Sequence, residues 1–199
     1  MLRFKPSILI ALDLGEHALY QVEQQLPALS QTTQFVWAIG DAKNRVRMEE
    51  LISLHRPSVI FHAAAYKHVP LMEDENAWEA LANNVTSTRV LAECAIRHAV
   101  EKFVLVSTDK AVNPTNVMGA SKRLAELVCQ AMQMPNSTRF VIVRFGNVLG
   151  SAGSVVPKFR AQISAGGPVT VTHPEIRRFF MSIAEAAQLV LQASLMGRG

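Results

Sequence analysis

Short, unbroken apolar runs recur along this chain: Ile8-Leu9-Ile10-Ala11-Leu12, Phe35-Val36-Trp37-Ala38-Ile39, Val59-Ile60-Phe61, Phe103-Val104-Leu105-Val106 and Phe140-Val141-Ile142-Val143. A strand that is apolar on both faces must be covered on both, which is the condition of a parallel sheet between two helical layers. The segments between the runs fit that role. Residues 15–26 place Ala18, Leu19, Val22 and Leu26 on one helical side, and residues 43–55 carry Val46, Leu51, Ile52 and Leu54 before Pro57 ends the helix. A long helix is expected over 74–98 with Trp78, Leu81, Val85, Leu91 and Ala95, and another over 117–132. Strands alternating with helices predict an α/β fold with a Rossmann-like, doubly wound parallel sheet. After Val148 the alternation loosens around Gly150, Gly153, Pro157, Gly166, Gly167 and Pro168. A last amphipathic helix, 182–196, opens on Ser182 with Glu185 three residues on, the pattern of a capping box.

Composition narrows the function classes. The chain has 199 residues, 49% apolar and 18% charged, enough for one substantial core and too apolar for long disorder. Its net charge of +4 is spread without a basic run, which gives nucleic-acid binding little support and suits an anionic substrate such as a nucleotide diphosphate. No apolar run approaches the roughly 18 residues of a membrane span, and no signal-peptide pattern opens the chain. Cys94 and Cys129 fall in helical patterns and read as reduced thiols, so a cytoplasmic location is expected. No metal site is expected.

The chemistry concentrates in Ser107-Thr108-Asp109-Lys110-Ala111-Val112-Asn113-Pro114-Thr115-Asn116-Val117-Met118-Gly119-Ala120-Ser121-Lys122. Its first residues follow an apolar strand, so Ser107, Thr108, Asp109 and Lys110 sit at a strand's C-terminal end, where open parallel sheets hold their ligands. Asn113-Pro114 signals a turn, and Met118 and Lys122, at i and i+4, project from one face of the next helix. Taken alone, this spacing is equally that of an ordinary polar loop and a solvated lysine.

The pattern resembles the extended short-chain dehydrogenase/reductase superfamily, where a tyrosine and a lysine stand at that spacing with Ser or Thr at the strand end. Here Met118 holds the tyrosine position, and a thioether cannot transfer a proton. The Ser-Thr-Asp-Lys run with Met is similar to one subgroup, the bacterial polysaccharide-biosynthesis UDP-N-acetylglucosamine 4,6-dehydratases. The resemblance implies a partial dinucleotide-binding domain over 1–148, the start of a substrate-binding lobe over 149–199, and an NAD or NADP cofactor. It implies that Thr108, Asp109, Lys110 and Lys122 are catalytic: Thr108 on the C4 oxygen, Asp109 as acid toward the C6 hydroxyl, Lys110 as base at C5, and Lys122 on the nicotinamide ribose. Asp13, Asp41, Ala63, Ala64, Ala65 and Asn84 are the implied cofactor residues, although Asp13 equally suits a helix cap, the alanines tight packing and Asn84 an exposed helix face. A 2′-phosphate would meet Asp13 without a countercharge, which favours NAD. Lys67 and Asn147, with Lys158 in Ser154-Val155-Val156-Pro157-Lys158-Phe159 and Arg178 in Arg177-Arg178-Phe179-Phe180, are the implied contacts to a UDP-sugar; His68 beside Lys67 is not taken as a base. A homo-oligomer is the expected assembly.

No Gly-x-Gly-x-x-Gly turn occurs. Such a turn normally follows the first strand and seats the pyrophosphate on a helix N-terminus. The expectation is a sheet lacking its first strand and Gly-rich turn, in a truncated member of the family. Two rivals follow: a nucleotide-sugar 4-epimerase, which needs no second acid/base pair, and a non-catalytic fragment with weak cofactor affinity.

Overall fold

The computed structural model describes residues 1–150, 155–171 and 173–197; Gly153 and Ser154 lie outside the described residues. Strands and helices alternate as β1 (Ile8–Asp13), α1 (Glu16–Gln25), β2 (Gln34–Ile39), α2 (Arg45–His55), β3 (Val59–His62), α3 (Ala77–Leu81), α4 (Ser87–Arg97), β4 (Lys102–Thr108), α5 (Val117–Ala131) and β5 (Arg139–Phe145). Short β6 (Asn147–Val148), α6 (Val155–Ser164), β7 (Phe180–Met181) and α7 (Ile183–Met196) follow. All strand pairings are parallel. This is a Rossmann-like α/β architecture. Its main layer is in two pieces among the described residues, a β1–β2 pair and a β3–β4–β5 sheet.

Alternation along β4 shows why the strand must be apolar on both sides. Phe103 and Leu105 enter a core with Met48, Ile52, Leu91, Ala95, Ala125 and Cys129, drawn from α2, α4 and α5. Val104 turns to the opposite face with Val141 and Val143, where Val190 and Ala193 of α7 cover it. α7 thus belongs to the sheet's helical cover, and its start carries the expected capping box: Glu185 N donates to Ser182 Oγ and Ser182 N to Glu185 Oε2. Cys94 and Cys129 are buried free thiols. No helix among the described residues is long and apolar enough to cross a membrane.

Three helical expectations need correction. On α2 the buried stripe is Met48, Leu51 and Ile52, while Val46 is 77% and Leu54 71% exposed. Residues 48, 51 and 52 share a face at i, i+3 and i+4, whereas 46 and 54 lie off it. On α1 only Leu19 is buried, and Val22 stays partly exposed. The long helix is also interrupted. A 3-10 turn at Asp74–Asn76 and a π-helical turn at Ala82–Thr86 flank α3, and Trp78 is exposed. From the start of α4, Ser87 Oγ donates back to the Asn83 carbonyl of the π turn and Thr88 Oγ1 to the Asn84 carbonyl at 2.7 Å. Hydroxyls that bond back to a preceding carbonyl compete with the regular helical ladder.

Candidate active site

Thr108 ends β4 and caps the 3-10 turn Asp109–Ala111. Its Oγ1 accepts from Lys110 N at 3.3 Å and donates to Asp109 Oδ1 at 3.0 Å. Lys110 Nζ in turn donates to Asp109 Oδ1 at 3.0 Å and to Asn147 Oδ1, on β6, at 3.3 Å. Burial pushes the Asp109 carboxyl up, but the hydrogen bond and charge of Lys110 and the Thr108 hydroxyl outweigh it and hold the group below the ordinary carboxylate range. An ion pair therefore stands at the strand end, half-buried, with Asn147 fixing the ammonium from the far side.

α5 brings the second set of groups. Asn113 takes the left-handed conformation, φ 48°, that lets the loop reverse, and Asn116 caps the helix by accepting from Gly119 N at 2.8 Å. Glu73 Oε1 accepts from Val117 N at 3.0 Å and ties the same helix start to the loop before α3. Gly119 is required: a Cβ there would lie 2.4 Å from the Lys110 carbonyl oxygen. Met118 and Lys122, one turn apart, are both buried. Met118 packs on Met72 and Ala80. Lys122 Nζ donates to the Val106 carbonyl at 2.6 Å. Burial pushes its pKa down to about 8, with Glu126 and Cys129 acting in the opposite direction.

A cavity of about 650 Å³ opens over this floor. Thr108, Lys110 and Lys122 line it, as do Ala63, Ala65 and Lys67 from the β3 exit, Asn147 of β6 and Arg178 from the segment before β7. Phe145, Phe159 and Ile176 add an apolar wall that the sequence did not single out. The other predicted residues lie outside this lining. Asp109 stands beside Gly146, where an added Cβ would be 3.4 Å from Asp109 Oδ2. Ala64 alternates away from its neighbours, and Lys158 lies on the exposed side of α6 while Phe159 faces in.

Asn84 acts from behind the cavity rather than within it. Its Oδ1 accepts from Tyr66 N at 2.8 Å, and its Nδ2 donates to Tyr66 O at 3.0 Å and Ser121 Oγ at 2.9 Å. It pins the loop carrying Ala63, Ala65 and Lys67 to α5, next to Lys122. Asp13 and Asp41 lie after β1 and β2, each engaged locally: Asp13 Oδ1 accepts from Gly15 N at 2.7 Å, and Asp41 accepts from Lys43 N at 2.8 Å and pairs with Lys43 Nζ at 3.0 Å.

Over residues 1–199 the chain matches the family described as polysaccharide biosynthesis protein. The chain belongs to this polysaccharide biosynthesis family. It is 52% identical over 199 residues to the capsular polysaccharide biosynthesis protein CapD of Staphylococcus aureus, covering 99% of this chain and 33% of that protein. A UDP-glucose 4-epimerase of Rickettsia canadensis is 42% identical over 163 residues, 80% of this chain and 47% of that one. Among solved structures, Pen from Bacillus thuringiensis superposes with a TM-score of 0.90 at 32% identity, over 100% of this chain and 60% of that chain. DesIV from Streptomyces venezuelae, a dTDP-glucose 4,6-dehydratase with NAD and TYD bound, shares the fold with a TM-score of 0.77 at 22% identity, over 92% of this chain and 61% of that chain. The chain thus spans about a third of the CapD relative's length.

Proposed function

We propose that this member of the family carries the catalytic loop and sugar-facing floor of an NAD-dependent nucleotide-sugar 4,6-dehydratase, acting on a UDP-N-acetylhexosamine to give the 4-keto-6-deoxy sugar. The observation that carries this reading is the Asp109–Lys110 ion pair, at 3.0 Å, whose Lys110 lines one cavity with Thr108 and Lys122. Oxidation at C4 alone needs one proton-handling group; elimination across C5 and C6 needs an acid and a base more.

The residues present fit a nicotinamide cofactor at its reactive end. Small Ala63 and Ala65 leave room beside the buried Lys122, and Asp13 and Asp41 stand at strand ends for the adenosine side. When bound, that group would accept hydride from C4 and return it to C6, so that no net oxidation occurs. Thr108 binds the C4 oxygen, and Lys122, lowered to about 8, is matched to taking its proton near neutral pH with Met118 unable to do so.

The ion pair holds one proton, on Lys110. Its transfer from Nζ to Asp109 Oδ1 creates a neutral amine and a carboxylic acid together, without exchange with solvent. Lys110 then takes the C5 proton while Asp109 protonates the C6 oxygen. The C5–H and C6–O bonds break, the C5=C6 bond forms, and water leaves. That step restores the charged pair, and a proton returned to C5 from Lys110, whose ammonium exchanges with solvent, completes the 4-keto-6-deoxy sugar as C6 is reduced. UDP is expected to face Lys67, Asn147 and Arg178, the last suited to two diphosphate oxygens at once. A homo-oligomer would cover exposed Trp78, Leu124 and Leu127.

In deuterated buffer with NAD and UDP-N-acetylglucosamine, turnover is expected to place deuterium at C5, and Asp109→Asn to lower product formation by about 100-fold or more while sugar binding persists. An active enzyme that leaves C5 unexchanged is instead a 4-epimerase, the reading the Rickettsia relatives favour. Failure of NAD to bind in calorimetry would mark a non-catalytic fragment.

A further inference from the structure

Behind the Thr108-Asp109-Lys110 turn lies a carboxylate that the proposed chemistry does not use. Glu126 sits on α5 one turn beyond Lys122 and is 0% exposed. A carboxylate taken out of water needs a partner for each oxygen. Its Oε1 accepts from Ser107 Oγ at 2.5 Å and Arg144 Nε at 2.7 Å, and its Oε2 from Arg123 Nη1 at 3.0 Å and from Arg144 Nη2. Burial alone would raise its pKa, but Arg144, Ser107 and Arg123 keep it below the ordinary range, so it is ionised.

The position of these donors in the sheet matters more than their number. Ser107 and Arg144 are register partners on β4 and β5. Ser107 directly precedes Thr108, and Arg144 stands three residues before Asn147. Glu126 therefore grips the two strands one rung before their last pair, Thr108 with Phe145. Beyond that rung one strand supplies Asp109 and Lys110 and the other Asn147, the groups that share the Lys110 ammonium at 3.0 and 3.3 Å.

We propose that Glu126 is a positioning residue: by locking the C-terminal ends of β4 and β5 to α5, it sets where the Lys110 ammonium sits between Asp109 and Asn147. Stability alone does not require such a group, since buried ion pairs are often replaceable by apolar side chains without loss. A carboxylate that takes two parallel bonds from a guanidinium fixes direction as well as distance. The use made of the ammonium rests on the dehydratase reading; its placement does not.

The test uses Glu126→Gln, which keeps the shape and removes the charge, with Ser107→Ala, which removes only the β4 bond. Correlation spectra linking each lysine's Hε and Cε to Nζ report Lys110 and Lys122 without any turnover. In Glu126→Gln the Lys110 resonance is expected to move toward that of a solvated lysine, and the Lys122 titration midpoint to fall, because a nearby negative charge is gone. Under dehydratase assay kcat is expected to drop about 10- to 100-fold with the sugar KM little changed, the size of effect that small misplacement of catalytic groups produces. Ser107→Ala is expected to shift Lys110 in the same direction by less. A folded Glu126→Gln chain with unmoved Lys110 and Lys122 resonances, changed only in Tm, would overturn the proposal. If Glu126→Gln does not fold, an unmoved Lys110 in Ser107→Ala overturns it. If the wild-type chain shows no dehydration, the dehydratase reading fails while the resonances still decide the positioning role.

Discussion

His62 ends β3 with its ring sealed in the core, 3% exposed, and faces two hydroxyls through Nε2: Thr88 Oγ1 at 3.1 Å and Ser87 Oγ at 3.3 Å. Both hydroxyl protons are already given to helix carbonyls, those of Asn84 and Asn83. Their oxygens can then only accept, so the neutral ring carries its proton on Nε2. Burial, with the Lys122 charge adding to it, lowers the His62 pKa from 6.5 to about 3. Between those values the unfolded chain binds a proton that the folded chain refuses, so stability falls as pH drops, by about 1.4 kcal/mol per unit. Glu126, lowered from 4.5, adds its own loss only below that value. Urea unfolding between pH 6.5 and 4.5 should therefore show a steeper loss in wild type than in His62→Gln, and parallel curves would refute the buried neutral ring. Nothing in the sequence pointed to His62. Thr108 and Lys110 were legible because a strand end is a local property; the partners of His62 come from α4, and only folding reveals them.

At the scale of elements, α5 shows how far pattern reading reaches. Its bounds, its i, i+4 pair and the turn at Asn113-Pro114 follow from sequence, because each depends on residues within one or two turns. Gly119 does not. A glycine inside a helix is usually a weakness, and Ala in its place typically gains about 0.5–1 kcal/mol. Here the added Cβ would lie 2.4 Å from the Lys110 carbonyl oxygen, so α5 or the 3-10 turn must move. Gly119→Ala is expected to destabilise by about 1–3 kcal/mol, as overpacking does, and to weaken the Lys110–Asn147 contact. A higher urea midpoint in that variant would show that the turn yields freely. Pattern reading fails for the same reason over 74–98: the apolar period continues through the π turn, but Asn84 is drawn inward to Tyr66 and Ser121, and the helix follows its side chain.

For the molecule as a whole, the consequence is an uneven distribution of stability. β4 is paired on both edges, with β3 and β5, and its Phe103, Val104 and Leu105 are fully buried. β1 pairs only with β2 among the described residues, and none of its residues is fully buried. The β1–β2 pair is held to the rest largely through α2, by the core around Met48 and Ile52 and by the contacts of Arg45 with Glu93 and of Glu49 with Arg97 and His98. Ion pairs at this level of exposure contribute little each, so the core around Met48 carries most of that attachment. Protection from amide exchange follows local packing and the pairing of backbone groups. Native-state hydrogen exchange should therefore rank β4 slowest and β1 fastest of the main strands, with β1 and β2 opening together before β3, β4 and β5. The same order bears on the site. Thr108 ends β4 of the slow sheet and Asp109 and Lys110 follow it directly, whereas Asp13 and Asp41 ride on the fast pair. Adding NAD should slow exchange in β1 and β2 if those acids meet the adenosine side of the cofactor. Uniform protection across both sheets would mean that the two are one cooperative unit, and that the open edges of β1 and β3 cost this fold nothing.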